Sequence, residues 1–162
     1  MSSRFKVLIV DDIHPLLIER LRPWPGIEID YQPTINPAQV AEQLRNCNGL
    51  IIRTKCYING EMLAAAPHLR WIARAGAGLD NLDEAVARTL GITLFNAPEG
   101  NRDAVAEHVL GMLLALFNHI PRAHQEVTQG LWRREANRGI ELMGKTIGLI
   151  GYGNNGQATA RK

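Results

Sequence analysis

The stretch WIARAGAGLDNLDEAVARTLGITLF, residues 71–95, decides the fold. Trp71 to Ala75 is a short apolar run of the kind a buried parallel strand shows. Small and polar residues follow, and Asn81 then stands as an N-cap with Glu84 placed to close a capping box. Gly91 is suited to end that helix in the left-handed conformation, and Ile92 to Phe95 reads as the next strand. Strand, helix and strand in this span make a β-α-β unit, which requires parallel strands joined by a right-handed crossover.

Working toward the amino terminus, the same rhythm repeats. Phe5 to Val10, Lys6 apart, is a β-branched and apolar run suited to burial on both faces, and Pro15 to Leu21 has helical apolar spacing. Pro23, Pro25 and Gly26 punctuate the chain before Ile27 to Tyr31 alternates as a second strand. Asn36 offers an N-cap, with Pro37 at the first helical position of an amphipathic helix reaching about Asn46. Gly49 to Arg53 is the third strand, and Asn59 caps a short helix to Ala66. Strands alternating with helices in this way imply an α/β fold, a doubly wound parallel sheet of flavodoxin-like strand order ending near Asn96.

Toward the carboxyl terminus the pattern changes. From Asp103 to Ile120 apolar residues occupy nearly every face, so the expectation is a helix buried all round. Pro121 starts a more polar helix. Gly130 to Glu141 carries Trp132 among Arg133, Arg134 and Arg138, which reads either as an arm docking on another subunit or as a surface loop with one anchoring Trp. Thr146 to Ile150 reads as a sixth buried strand running into Gly151-Tyr152-Gly153-Asn154-Asn155-Gly156, the start of a Rossmann domain. The expected organisation is residues 1–98 as a flavodoxin-like domain, 99–143 as a bridging helix and arm, and 144–162 as the start of a second, Rossmann domain.

Composition narrows the class. With 162 residues, 46% of them apolar and 21% charged, the chain has the balance of an ordinary folded protein of one domain and part of a second. The net charge of +2, with cations dispersed among acids, offers no footprint for nucleic acid or an anionic membrane, and neither partner is expected. The opening apolar run is too short for a signal sequence or a membrane span, so the expected location is cytoplasmic. Cys47 and Cys56 have neither metal-ligand spacing nor a nearby His pattern and read as two free thiols; no metal is expected.

Two glycine-bearing loops carry the chemistry. After a strand and before a helix, Gly151, Gly153 and Gly156 fit the fingerprint that brings backbone amides and a helix N-terminus to a pyrophosphate. An acidic residue holding the ribose hydroxyls would lie about twenty residues further on, beyond Lys162, so the loop leaves NAD and NADP both open. The second loop, Arg74-Ala75-Gly76-Ala77-Gly78-Leu79-Asp80-Asn81, follows the fourth strand, where consecutive N–H groups of small residues form a nest for a carboxylate. Arg53, with Lys55 close behind, ends the third strand on the same rim, and a guanidinium with a row of amides can clamp a small acid. A glycine-rich loop beside a solvated Arg is the plain alternative.

Three runs in order, Arg74 to Asp83, Asn96-Ala97-Pro98-Glu99-Gly100-Asn101 with Val105-Ala106-Glu107-His108, and Gly144 to Gly153, resemble successive signatures of the D-2-hydroxyacid dehydrogenases, nearest their phosphoglycerate dehydrogenase branch. The resemblance implies an NAD-dependent oxidoreductase interconverting a D-2-hydroxyacid and its 2-oxoacid, acting as a homodimer through the bridging helix and the Trp132 arm. It implies that Gly76, Ala77 and Gly78 supply amides to the substrate carboxylate, that Arg53 approaches its far end, and that Ala77 and Val105 lie near the nicotinamide; Lys55 joins the substrate side by its place behind Arg53 on the rim. Gly151, Tyr152, Gly153, Asn154, Asn155 and Gly156 would line the pyrophosphate, although Asn155 stands where the family usually has a bulky aliphatic residue. His108, on the bridging helix, reads as a structural imidazole and not the catalytic one. In the family the proton-accepting imidazole, its carboxylate partner and a further Arg come from the later cofactor domain. Their motifs do not occur before Lys162, so the chain is expected to be an amino-terminal half, inactive by itself.

Two other readings of the sequence exist. Val7-Leu8-Ile9-Val10-Asp11-Asp12 also looks like the opening of a response-regulator receiver domain, but Arg53 and Asn96 stand where that family needs Asp and Lys. The other rival is a non-catalytic module of the same fold that binds an organic acid or assembles with a partner.

Overall fold

Strands β1 (Phe5–Ile9), β2 (Ile27–Tyr31), β3 (Gly49–Ile52), β4 (Trp71–Arg74) and β5 (Thr93–Phe95) pair in parallel in the order β2-β1-β3-β4-β5. The expected flavodoxin-like order is thus present in this computed structural model, which describes residues 4–162. The chain divides into two units, Met1–Pro98 and Glu99–Lys162. The register Val7↔Gly49 and Gly49↔Trp71 stacks the central strands so that their carboxyl ends emerge on one edge.

Helices α1 (Pro15–Leu21), α2 (Pro37–Leu44), α3 (Gly60–Ala64) and α4 (Glu84–Thr89) fill the crossovers. Asn36 and Asn59 cap α2 and α3 as expected, their side-chain oxygens accepting from the N–H of Ala38 (3.0 Å) and Met62 (2.9 Å). For α4 the reading is corrected. Asp83, not Asn81, is the N-cap, its carboxylate accepting from the Val86 N–H at 3.1 Å. Asn81 instead spends its amide on the carbonyls of Arg53 (3.1 Å) and Cys56 (3.2 Å), a long-range use that local spacing does not reveal. Gly91 ends the helix at φ +70°, the conformation for which glycine was expected there.

Both faces of the central strands are covered. Leu8, Val10, Leu50, Ile52 and Ile72 pack with Val40 and Leu44 of α2, Leu63 of α3 and Ala87 of α4. On the other side Val7, Ile9 and Ile51 meet Leu17, Ile18 and Leu21 of α1, with Trp71 and Ala73 at the margin. Cys47 is buried, its thiol donating to the Gln43 carbonyl, and Cys56 is half-buried; both are free.

The second unit comprises α5 (Arg102–Phe117), α6 (Ile120–Thr128) and α7 (Asn154–Arg161). α7 packs along α5, and Lys162 reaches Glu107 at 2.9 Å. Two expectations fail here. Of α5 only Ala106 is buried, while Met112, Leu114 and Leu116 are exposed, because α6 and α7 cover a fraction of an apolar circumference. Thr146–Ile150 is an exposed segment and not a buried strand, since a strand is held by a neighbour and this unit has none among the described residues. The segment after α6 folds back on that helix: Asn137 donates to Glu126 at 2.6 Å and accepts from Arg122 at 2.8 Å, leaving Trp132 exposed. Among the described residues no single helix is long and apolar enough to cross a membrane.

Candidate functional site

In the first unit the candidate site residues lie along the carboxyl edge of the sheet, where a parallel ladder ends and its last backbone groups are free for loops or ligands. Asp11 and Asp12 follow β1, Arg53 and Lys55 follow β3, Gly76 to Gly78 follow β4 and Asn96 follows β5. The loop after β4 is shaped by its neighbours. The Gly76 carbonyl accepts from the Ala97 N–H (2.9 Å) and the Ala77 carbonyl from the Asn96 amide (2.6 Å). The Gly76 N–H itself turns back to the Arg74 carbonyl at 2.8 Å. The expected row of three amides is therefore two: among the described residues the N–H groups of Ala77 and Gly78 have no partner, while that of Gly76 does.

Charged side chains lie close against the glycines of this loop. A Cβ on Gly76 would meet the Arg74 guanidinium, and one on Gly78 would stand 2.5 Å from an Asp80 carboxylate oxygen. Arg74, largely enclosed, reaches the Arg53 carbonyl at 3.2 Å through Nε and lies 4.0 Å from Asp80. Arg53 is exposed, with one guanidinium nitrogen donating to the Asp12 carbonyl at 3.2 Å. The Lys55 ammonium is turned away from the rim's centre, donating to the Pro33 carbonyl at 2.7 Å. Two free amides with the Arg74 guanidinium against the same loop, 4.0 Å from the Cβ position of Gly78, suit a carboxylate.

Three residues of this rim were not singled out as site residues from the sequence: Asp11, Asn81 and Asn96. Each acts through a hydrogen bond to a loop distant in sequence, so neither spacing nor periodicity marks it. A groove of about 430 Å³ between α1 and β2, lined by Ile13, Ile18, Arg22 and Tyr31, shares only Asp12 with the rim and lacks its free amides. Burial pushes the thiols of Cys47 and Cys56 above their ordinary value, which is the reverse of what an activated nucleophile needs.

In the second unit Gly151 to Gly156 forms a turn leading into α7, with Gly151 at φ +92° and Gly153 as the N-cap. A Cβ on Gly156 would run into the Gly151 carbonyl oxygen, so the loop closes only with glycine there. The first N–H groups of α7, those of Asn154, Asn155 and Gly156, precede the first intrahelical bond, from Gln157 to Gly153. Such a loop fits the pyrophosphate of a dinucleotide. Tyr152 and Asn155 are exposed, and Val105 is half-buried on the first turn of α5. His108 is exposed on α5, not enclosed as its reading as a structural imidazole required, because the helix around it is only partly covered.

A parallel α/β unit with free amides and an arginine on its carboxyl rim, followed in the chain by a glycine fingerprint opening a helix, is the framework of a small-ligand and dinucleotide-binding α/β protein. Residues 7–161 match the D-isomer specific 2-hydroxyacid dehydrogenase catalytic domain, and the chain belongs to that family. It is 34% identical over 157 residues to the D-3-phosphoglycerate dehydrogenase of Archaeoglobus fulgidus, covering 97% of this chain and 30% of that protein. The NADPH-dependent glyoxylate/hydroxypyruvate reductase of Sinorhizobium meliloti, solved with citrate, is 31% identical with a TM-score of 0.74, covering 99% of this chain and 50% of that one. The NAD-dependent formate dehydrogenase of Staphylococcus aureus, solved with NAD, is 25% identical with a TM-score of 0.78, covering 97% and 52%. The chain therefore spans under a third of the first relative's length and about half of each of these two solved chains.

Proposed function

We propose that this chain provides the substrate-carboxylate site and the first turn of the dinucleotide site of an oxidoreductase that interconverts a D-2-hydroxyacid, of the 3-phosphoglycerate kind, and its 2-oxoacid. The reading rests above all on the unpartnered N–H groups of Ala77 and Gly78 after β4, on the sheet edge where Arg53 follows the neighbouring β3. In it, those two amides hold the substrate carboxylate, Arg53 meets the far end of the acid, and Gly76 serves by shaping the turn. The amides opening α7 hold the cofactor pyrophosphate. The cofactor is NAD, with NADP as the alternative, and when bound it supplies or accepts the hydride. Residues 1–98 form the substrate domain, 99–143 the bridge and dimer arm, and 144–162 the opening of the cofactor domain.

In this reading the 162 residues contribute binding groups, and the proton-accepting imidazole, its carboxylate partner and a further arginine belong to the cofactor domain. The protein works as a cytoplasmic homodimer without nucleic acid or membrane as partner, and exposed Met112, Leu116, Ile120 and Trp132 are the apolar side chains that a second copy would cover. The test follows NADH consumption with a panel of 2-oxoacids, using the full-length protein and the 162-residue chain. The full-length protein is expected to oxidise NADH and the short chain is not. Arg53→Gln should raise KM about tenfold or more for acids with an anionic far end, through loss of a charge-assisted contact. Acid binding without turnover in the full-length protein would refute the enzyme in favour of the non-catalytic module.

A further inference from the structure

Asp11 is the buried charged residue of the described chain, with 9% of its surface exposed, and no cation pairs with it among the described residues. A buried carboxylate is costly unless hydrogen bonds satisfy it. The satisfaction here is specific. One oxygen, Oδ2, accepts from the backbone N–H of Arg53 at 2.6 Å and from that of Lys55 at 3.3 Å. The β1–β3 ladder ends just before, where the Val10 N–H meets the Ile51 carbonyl, so the side chain continues the pairing into the loop. The next residue grips the other end of the same arginine, since the Asp12 carbonyl accepts from the Arg53 guanidinium. From the opposite side, Arg74 and Asn81 both donate to the Arg53 carbonyl.

We infer that Asp11 is a positioning residue: by holding the N–H groups of Arg53 and Lys55 it fixes where the Arg53 guanidinium stands, and so sets the preference for acids whose far end is anionic. The inference rests on the functional reading above. An exposed arginine on a loose loop samples many rotamers and loses that freedom on binding. Here the root of the side chain is pinned through its own N–H and the tip is latched to Asp12, which leaves the remaining guanidinium donors aimed from a fixed base. Pre-organisation of this kind strengthens binding by reducing what must be ordered. The hydrogen bonds of the Asp11 side chain go to backbone N–H groups, and since the Lys55 ammonium is held on the Pro33 carbonyl, the effect on substrate passes through Arg53.

The experiment compares 2-oxoglutarate with 2-oxopentanoate, equal in carbon chain and different in far-end charge, as substrates of the full-length protein. Asp11→Ala should raise KM for 2-oxoglutarate about tenfold, the scale of one charge-assisted bond, keep kcat, and change KM for 2-oxopentanoate by less than about twofold. Asp11→Asn, whose amide oxygen can face the same two N–H groups, should restore most of the difference. In an Arg53→Gln background, Asp11→Ala should add nothing further. If Asp11→Ala does not fold, Asp11→Ser, with a hydroxyl too short to span both amides, carries the same comparison. An equal rise in KM for both acids, or an Asp11 effect persisting in full without Arg53, would reduce Asp11 to a stitch between strands and overturn the proposal. A protein that carries Arg53 and reduces neither acid would sink the functional reading, and this inference with it.

Discussion

Replacing Gly49 by alanine is expected to destabilise the first unit, against what strand propensity says. Glycine inside a strand is unfavourable by roughly 0.5–1 kcal/mol relative to alanine, so the substitution looks stabilising from the sequence. In the fold Gly49 is paired with Trp71, and the indole lies across it. A Cβ built there would stand 2.5 Å from Cε2 and 2.8 Å from Cη2 of Trp71, where carbon contacts settle at about 3.5–4.0 Å. The ring must swing away, giving up its packing beside Val7, Ile9 and Ile51. Overpacking of this kind costs about 1–3 kcal/mol, which exceeds the propensity gain at all but its lower edge. For a domain of this size each kcal/mol moves Tm by about 4–8 °C, so a fall of several degrees is expected in thermal unfolding followed by circular dichroism. Tryptophan emission reports the cause: Trp24 and Trp132 are already 64% and 80% exposed, so a red shift would come from Trp71. A Gly49→Ala protein with raised Tm and unshifted emission would refute the reasoning, and adding Trp71→Leu should relieve most of the loss.

Asp83→Ala should cost about 1 kcal/mol by uncapping α4, read as a lower urea midpoint, and Asp83→Asn should cost less because it keeps an acceptor. His119 is held at φ +53° between α5 and α6, so His119→Gly should stabilise the second unit by about 1 kcal/mol, and an unchanged midpoint would contradict this. Burial pushes the Asp30 carboxyl up, but the Lys6 ammonium at 2.9 Å and the Gln32 amide at 2.8 Å outweigh it and hold the group below its usual range. A lowered carboxyl contributes stability above its unfolded value, near 4, and loses it as pH falls through the lower folded value. Asp30→Asn should therefore flatten the acid side of the stability profile, and unchanged steepness below about pH 4 would count against the pair.

The amino-acid order alone determined the alternation of strands and helices, because apolar period and cap residues act within a few positions of one another. Asn36 and Asn59 sit where their caps are, and Gly91 takes the left-handed conformation its place demanded. The glycine loops were legible for a similar reason, since the backbone freedom they supply is a property of the residue itself. Tertiary structure decided the rest. It moved the cap of α4 to Asp83, gave Asn81 to two carbonyls far off in sequence, turned the Gly76 amide back to the Arg74 carbonyl, and set the Asp11 carboxylate on the Arg53 N–H. It also left Thr146–Ile150 unpaired and most of α5 uncovered, since an apolar run becomes a buried strand or helix only when other segments are present to cover it. Partners across a sheet edge are chosen by the packing of whole strands, and no window of local sequence contains that information.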